Sequence, residues 1–288
     1  MVTEEVLEAL DLLIWLGNGT HASELAHCNQ STVSRRVKQT QATFRFKLHR
    51  VSGAWQVVGA PLLLRLERQL HQRSRFLGRQ ALRLQAPYWS SDALLNNLPP
   101  CWISNPFSTA GSAHHCLDLL EHRVVDACLA TLPERPASDD TRFACFDLFH
   151  SPIHLVTRPE AAVSRITQPS SAEIGTYCHI ATFPFNPRPQ KLFIRSFYAH
   201  HFRPSRTNRR ARHHGTDAVF FANSLMLKAL GDTMNVITLK VAVPSHYVES
   251  LVVLHENREH PAVAQLVEVL RRRILELSRS EPQLIAVR

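Results

Sequence analysis

Between Thr20 and Gln41 the chain reads THASELAHCNQSTVSRRVKQTQ. Gln30, Ser31, Thr32, Ser34, Arg35 and Lys38 lie along one side of a helix there, while Leu25, Cys28, Val33 and Val37 take core positions. These side chains have the chemistry of a base reader. Glutamine pairs in two-pronged fashion with adenine, arginine with guanine, and small hydroxyls bond bases or phosphates. From Arg35 to Arg50 the basic residues are Arg35, Arg36, Lys38, Arg45, Lys47 and Arg50, and no acidic residue interrupts them. A polyphosphate backbone demands a face of that kind.

Such a helix works only if its neighbours aim it. Val6, Leu7, Leu10, Leu13 and Ile14 predict an amphipathic first helix, ended by Gly17-Asn18-Gly19. Thr20 is placed to cap a second helix to about His27, and Asn29 a third from Gln30 to about Thr43. Ala22 and Ala26 are small where two helices must approach. Val51 to Gly59 is expected to form a hairpin, and Pro61 to open a long helix to about Leu77. In that helix Leu63, Leu66, Leu70 and Leu77 form a stripe, with Arg73 in the seam, that suits pairing with another subunit.

Beyond Ala81 the pattern changes to strands alternating with helices. Strands are expected at Ala81–Ala86, Val124–Ala130, Phe143–Leu148, Ile153–Thr157, His179–Phe183 and Val236–Val243. Helices are expected at Ser91–Leu98, His114–Glu121, Ala218–Leu230 and Ala262–Leu277. That alternation predicts an α/β domain with parallel sheet. The near-continuous apolar run Val124–Ala130 is the mark of a strand covered on both faces.

Bulk properties narrow the classes. The 288 residues are 44% hydrophobic with a formal charge of +9, which fits a small domain plus a larger one and a polyanionic partner. Six scattered cysteines without a C-x-x-C pair read as reduced thiols. The acidic start, with Glu4, Glu5, Glu8 and Asp11, is unlike a signal peptide, and no apolar run suits a bilayer, so a cytoplasmic site of action is expected, with no membrane partner. Among 17 histidines, His114-His115-Cys116 and His213-His214 lack the spacing of metal ligands, and neither metal nor cofactor is expected. The arginine-rich Phe202–His214 segment reads as a solvated charge run. Nucleophile-elbow, P-loop and zinc-protease motifs are missing, so no enzyme is expected.

In the region Thr20, Ala22-Ser23-Glu24, His27 and Asn29-Gln30-Ser31-Thr32-Val33-Ser34-Arg35-Arg36-Val37, the chain resembles the LysR-type transcription regulators without a gap. Weaker likeness continues through Leu117–Ala130, with Asp126 at a motif position, through Phe146–Val156, and through His260–Arg271. The chain departs from the family pattern at Thr40-Gln41, where Leu-Glu is usual, at Arg45, where glycine is usual, and at Val58-Gly59-Ala60-Pro61.

The resemblance implies a winged helix-turn-helix over residues 1–60, a linker and dimerisation helix over 61–80, and an effector domain over 81–288. That last domain would hold two Rossmann-like, periplasmic-binding-protein-like subdomains, I at about 81–155 with 250–288 and II at about 156–249. Gln30, Ser31, Ser34 and Arg35 would enter the groove of double-stranded DNA, and Arg50 would touch phosphate. Trp89, Ser90, Ser91, Thr131, Thr182 and Thr216 fall where a small-molecule effector would sit in a cleft between subdomains. The implied protein is an effector-controlled, homodimeric or homotetrameric regulator. The alternatives are a ligand-binding or interaction module with a degenerate DNA head, and a metal-responsive regulator.

Overall fold

A computed structural model describes residues 2–51, 54–59, 62–87, 90, 93–106, 116–131, 135–157, 159, 162–165, 179–180, 218–231, 236–241 and 246–287. The chain forms two compact units. The first is Met1–Ala130, Arg135–Phe146 and Ser250–Leu270; the second is Thr131–Glu134, Asp147–Glu249 and Arg271–Arg288.

The first unit opens with helices α1 (Glu4–Leu16), α2 (Gly19–Leu25) and α3 (Gln30–Phe44). Strands β1 (Lys47–Val51) and β2 (Ala54–Val58) then pair antiparallel, from Lys47↔Val58 to Val51↔Ala54. The hairpin starts four residues before the expected Val51, because polar Lys47, His49 and Arg50 hide the strand signal of β1. Gly17 turns left-handed (φ 70°) at the end of α1 and donates its N–H to the Leu13 carbonyl. The cap of α2 is Asn18 and not Thr20: the Asn18 side chain accepts the Thr20 N–H at 2.8 Å. Asn29 caps α3 in position but makes no side-chain capping bond.

Helix α1 is more than amphipathic. Val6, Leu7, Ala9, Leu10, Leu12, Ile14, Trp15 and Leu16 are all buried, and so is Asp11. Apart from Glu4, Glu5 and Glu8 near its start, the helix is buried around most of its circumference, as suits a helix packed on two sides. Its second neighbour is the α/β part of the same unit. One apolar cluster joins Leu7, Leu10, Trp15, Val33 and Val37 to Leu119, Leu120, Val124, Cys128, Phe143 and Val252.

Helix α4 (Leu62–Phe76) leads into this α/β part. Its strands are β3 (Leu82–Gln85), β4 (Trp102–Ser104), β5 (Ala127–Thr131) and portions of β6 (Phe143–Pro152) and β11 (His246–Leu254), in the order β4-β3-β5-β11-β6. Strand β5 is buried at all five positions and runs parallel to β3, with Leu84↔Ala127 and Gln85↔Cys128 in register. Helix α5 (Cys116–Glu121) precedes it. Strands β4 and β11 were not anticipated; Glu249 and Ser250, both fully buried, break the apolar signal of β11.

In the second unit β7 (His154–Thr157), β8 (His179–Ile180), β9 (Ala218–Ala222) and β10 (Ile237–Thr238) form a sheet of order β10-β7-β9-β8. The expected helix Ala218–Leu230 is in fact two elements: β9, then helix α6 (Ser224–Gly231). Asn223 separates them, its side chain accepting the Met226 N–H at 2.8 Å. Helix α7 (Pro261–Ser280) and strand β12 (Ile285–Ala286) close the chain, β12 pairing antiparallel with His150 and Phe149.

Candidate nucleic-acid interface

Helix α3 divides cleanly. Val33, Val37, Thr40 and Phe44 are buried, while Gln30, Ser31, Ser34, Arg35 and Lys38 are exposed. Thr32 and Arg36 are half-buried. Thr40 holds the inner side in place: its hydroxyl lies 3.2 Å from the Val6 carbonyl and 2.9 Å from the Arg36 carbonyl. That bond gives a physical reason for threonine at a position where the resembling family has leucine.

Two of the expected readers stand apart from the rest. A methyl group built on Gly19 would come within 3.3 Å of Gln30 Nε2, so Gln30 folds back over the start of α2. Arg36 lies near Glu5, whose carboxyl is held below its ordinary range by a backbone N–H, then by the Thr3 hydroxyl, with Arg36 contributing last. Arg35 and Lys38 carry the open cationic edge, which Arg45, Lys47 and Arg50, all exposed, continue. Arg50 sits over the Trp55 ring at 5.8 Å, and Trp55 Nε1 donates to the Gly17 carbonyl at 3.2 Å, tying the hairpin to the end of α1.

Arg45 itself closes α3 in the left-handed region (φ 55°, ψ 47°). Glycine adopts that left-handed conformation without strain, which gives a backbone reason for the glycine usual there in the family that the chain resembles. A side chain there costs about 1–2 kcal/mol.

Sequence reasoning missed the polar seam beneath α4. The buried residues of that helix are Leu64, Arg68, Gln72 and Arg75, whereas Leu63, Leu70 and Leu77 are 64%, 59% and 77% exposed. Arg75 donates through Nε and Nη2 to both oxygens of buried Asp126, each at 2.8 Å. Asp126 also accepts from Gln72 Nε2 at 3.1 Å and from the Arg83 backbone N–H at 2.8 Å. Arg68 pairs with Asp11 of α1 at 2.7 Å, and Trp15 Nε1 donates to Gln85 at 2.7 Å. Burial lowers the Arg75 pKa, but the charge and hydrogen bonds of Asp126, with Asp11 and Glu8, more than reverse it. Arg83 is drawn down by burial and then by Arg75, against the pull of Asp11, Glu8 and Asp126. The i, i+4, i+7 spacing of Arg68, Gln72 and Arg75 was the available signal.

Of the expected effector residues, Ser90 is fully buried and Thr131 is 5% exposed, and neither hydroxyl has a hydrogen-bond partner among the described residues. Trp89, Ser91, Thr182 and Thr216 lie outside the described residues, as do His114, His115 and the Phe202–His214 segment. Among the described residues there is no group of three or more His, Cys, Asp or Glu placed to hold a metal. No described helix is long and apolar enough to cross a membrane.

Three helices, a hairpin, a long helix and then α/β sheets in two units define the class of a winged helix-turn-helix followed by a two-part α/β region. No family model matches the chain, and no curated protein does. Among solved structures it is similar to a full-length OxyR variant from Pseudomonas aeruginosa, at 14% identity and TM-score 0.50, with 94% of this chain and 98% of that chain covered. It is also similar to the regulatory domain of MetR, a LysR family regulator from N. meningitidis, at 13% identity and TM-score 0.50, covering 73% of this chain and 99% of that one. The chain thus shares the fold of these structures: winged head, linker helix and α/β part of two subdomains.

Proposed function

We propose that this chain is a sequence-specific, DNA-binding transcription regulator of the LysR type, controlled by a small-molecule effector and acting as a homodimer or homotetramer. Residues 1–60 serve as the DNA-binding head, 61–80 as the linker and dimerisation helix, and 81–288 as the effector domain. Ser31, Ser34, Arg35 and Lys38 read or flank the major groove, helped by Gln30 and Thr32 once Gln30 swings off Gly19. Arg36 and Arg50 add backbone contacts. The exposed leucines of α4 pair with the same helix of a second copy. Ser90 and Thr131 supply buried hydroxyls for the effector, together with Trp89, Ser91, Thr182 and Thr216.

The observation that carries this reading is the open row Ser31, Ser34, Arg35 and Lys38, whose opposite side is locked into the core through Val33, Val37 and Thr40. A reader must be rigid on one side and free on the other. The chain plays no catalytic part in this scheme.

Titrating the full chain against its own upstream DNA and against shuffled duplexes, at several salt concentrations, tests the proposal. The expected result is a preferred upstream site, with affinity that falls steeply as salt rises. Equal, salt-insensitive affinity for every duplex would instead favour an interaction module with a degenerate head.

A further inference from the structure

Beneath the hairpin, inside the first unit, lies a cavity of about 280 Å³ lined by Ile14 of α1, Ala54, Trp55, Gln56 and Val57 of β2, Arg68 of α4, and Asp118, Leu119, His122 and Val124 around α5. An enclosed apolar cavity of about 150 Å³ is enough to bind benzene, so this one has room for an aromatic ring with a short tail. Its apolar walls are Ile14, Leu119, Val124, Val57 and the Trp55 ring.

The polar groups set the charge of the guest. Among the described residues the one guanidinium lining the cavity is that of Arg68, which is 3% exposed; its Nε donates to buried Asp11 at 2.8 Å and its Nη2 lies 2.7 Å from the same oxygen. A ligand carboxylate there would crowd a carboxylate already present. The exposed residues Asp118 and His122 are different. His122 Nδ1 lies 2.8 Å from the Asp118 carbonyl, and a carbonyl only accepts, so Nδ1 donates. With Nδ1 donating, the neutral tautomer offers Nε2 as an acceptor, and Asp118 lines the same cavity. Both groups therefore call for a donor, and the carboxylate calls for a cation.

We propose that this cavity is a binding site for a small apolar amine, its ring against Trp55, Leu119 and Val124 and its ammonium at Asp118 and His122. The site is distinct from the effector residues assigned above, and it stands whether or not the head touches DNA.

Calorimetric titration of the full chain with benzylamine, 2-phenylethylamine and tryptamine tests this, with phenylacetate and indole-3-acetate as the acid counterparts. At least one amine should saturate a single site, and the acids should not compete for it. Asp118→Asn, a change at an exposed position, should weaken the amine about tenfold or more, the worth of one charge-assisted hydrogen bond. Val57→Phe should fill the cavity and abolish binding, with the melting temperature of both variants within a few degrees of the parent. No saturable heat from any amine up to about 10 mM, a range in which even millimolar affinity shows, would overturn the site. Acids binding as tightly as amines, or both variants binding like the parent, would overturn it equally.

Discussion

Helices α3 and α4 are both 15 residues long and make opposite use of their faces. The first buries Val33, Val37 and Phe44 and shows serine, arginine and lysine to the outside. The second buries Arg68, Gln72 and Arg75 and shows leucines. Burial of apolar surface explains α3 within a single chain. It does not explain α4, whose inner face is held by directed ion pairs to Asp11 and Asp126 and whose outer face has the composition of an interface core. Helix α3 is thus finished by its own chain, whereas α4 keeps an exposed apolar face, the one proposed above to pair with a second copy.

Five substitutions test this contrast. Removing the Asp126 carboxylate, as Asp126→Ala, strands Arg75 and should cost about 3–5 kcal/mol in urea unfolding of the full chain; a loss below about 1 kcal/mol would show that the seam contributes little. Leu66→Lys, on the outer face, should leave the subunit folded but weaken self-association by about 1.5–3 kcal/mol for each leucine lost from the interface, seen by sedimentation; an unchanged assembly would place the interface elsewhere. Arg35→Ala should cost about 1–3 kcal/mol at the preferred DNA site and relax its sequence preference, whereas Arg50→Ala should weaken all duplexes alike. The smallest effect sharpens the picture of α3: Arg45→Gly relieves the left-handed terminus and should raise stability by about 1 kcal/mol. Thermal denaturation reads that gain, and a loss would show that the Arg45 side chain is itself held.

Much of the head was legible because its signals are local. Gly17 ends α1, Val33 and Val37 mark the inner side of α3, and the leucine stripe marks α4. What escaped had a non-local cause. The five apolar residues of β9 read equally well as helix, and only pairing with β7, Leu155↔Phe221 and Val156↔Phe220, decides for strand. Arg68 and Arg75 look like surface residues until their carboxylates, 57 and 51 positions away, come into view. The open face of α3 followed from helical spacing, but the folded-back Gln30 depends on Gly19, eleven residues earlier, and no periodicity reports that.

The apolar cluster that α1 shares with the sheet behind it bears on how this protein can be taken apart. A fragment cut near residue 60 would leave Trp15 without Gln85 and Leu7 and Leu10 without their partners around α5 and β5. Such a piece should clump and not shift a duplex, and its silence would say nothing about the intact molecule. By the same token the head is no interchangeable cassette. Grafting it onto another protein, or another head onto this one, would succeed only if both sides of that joint travelled together.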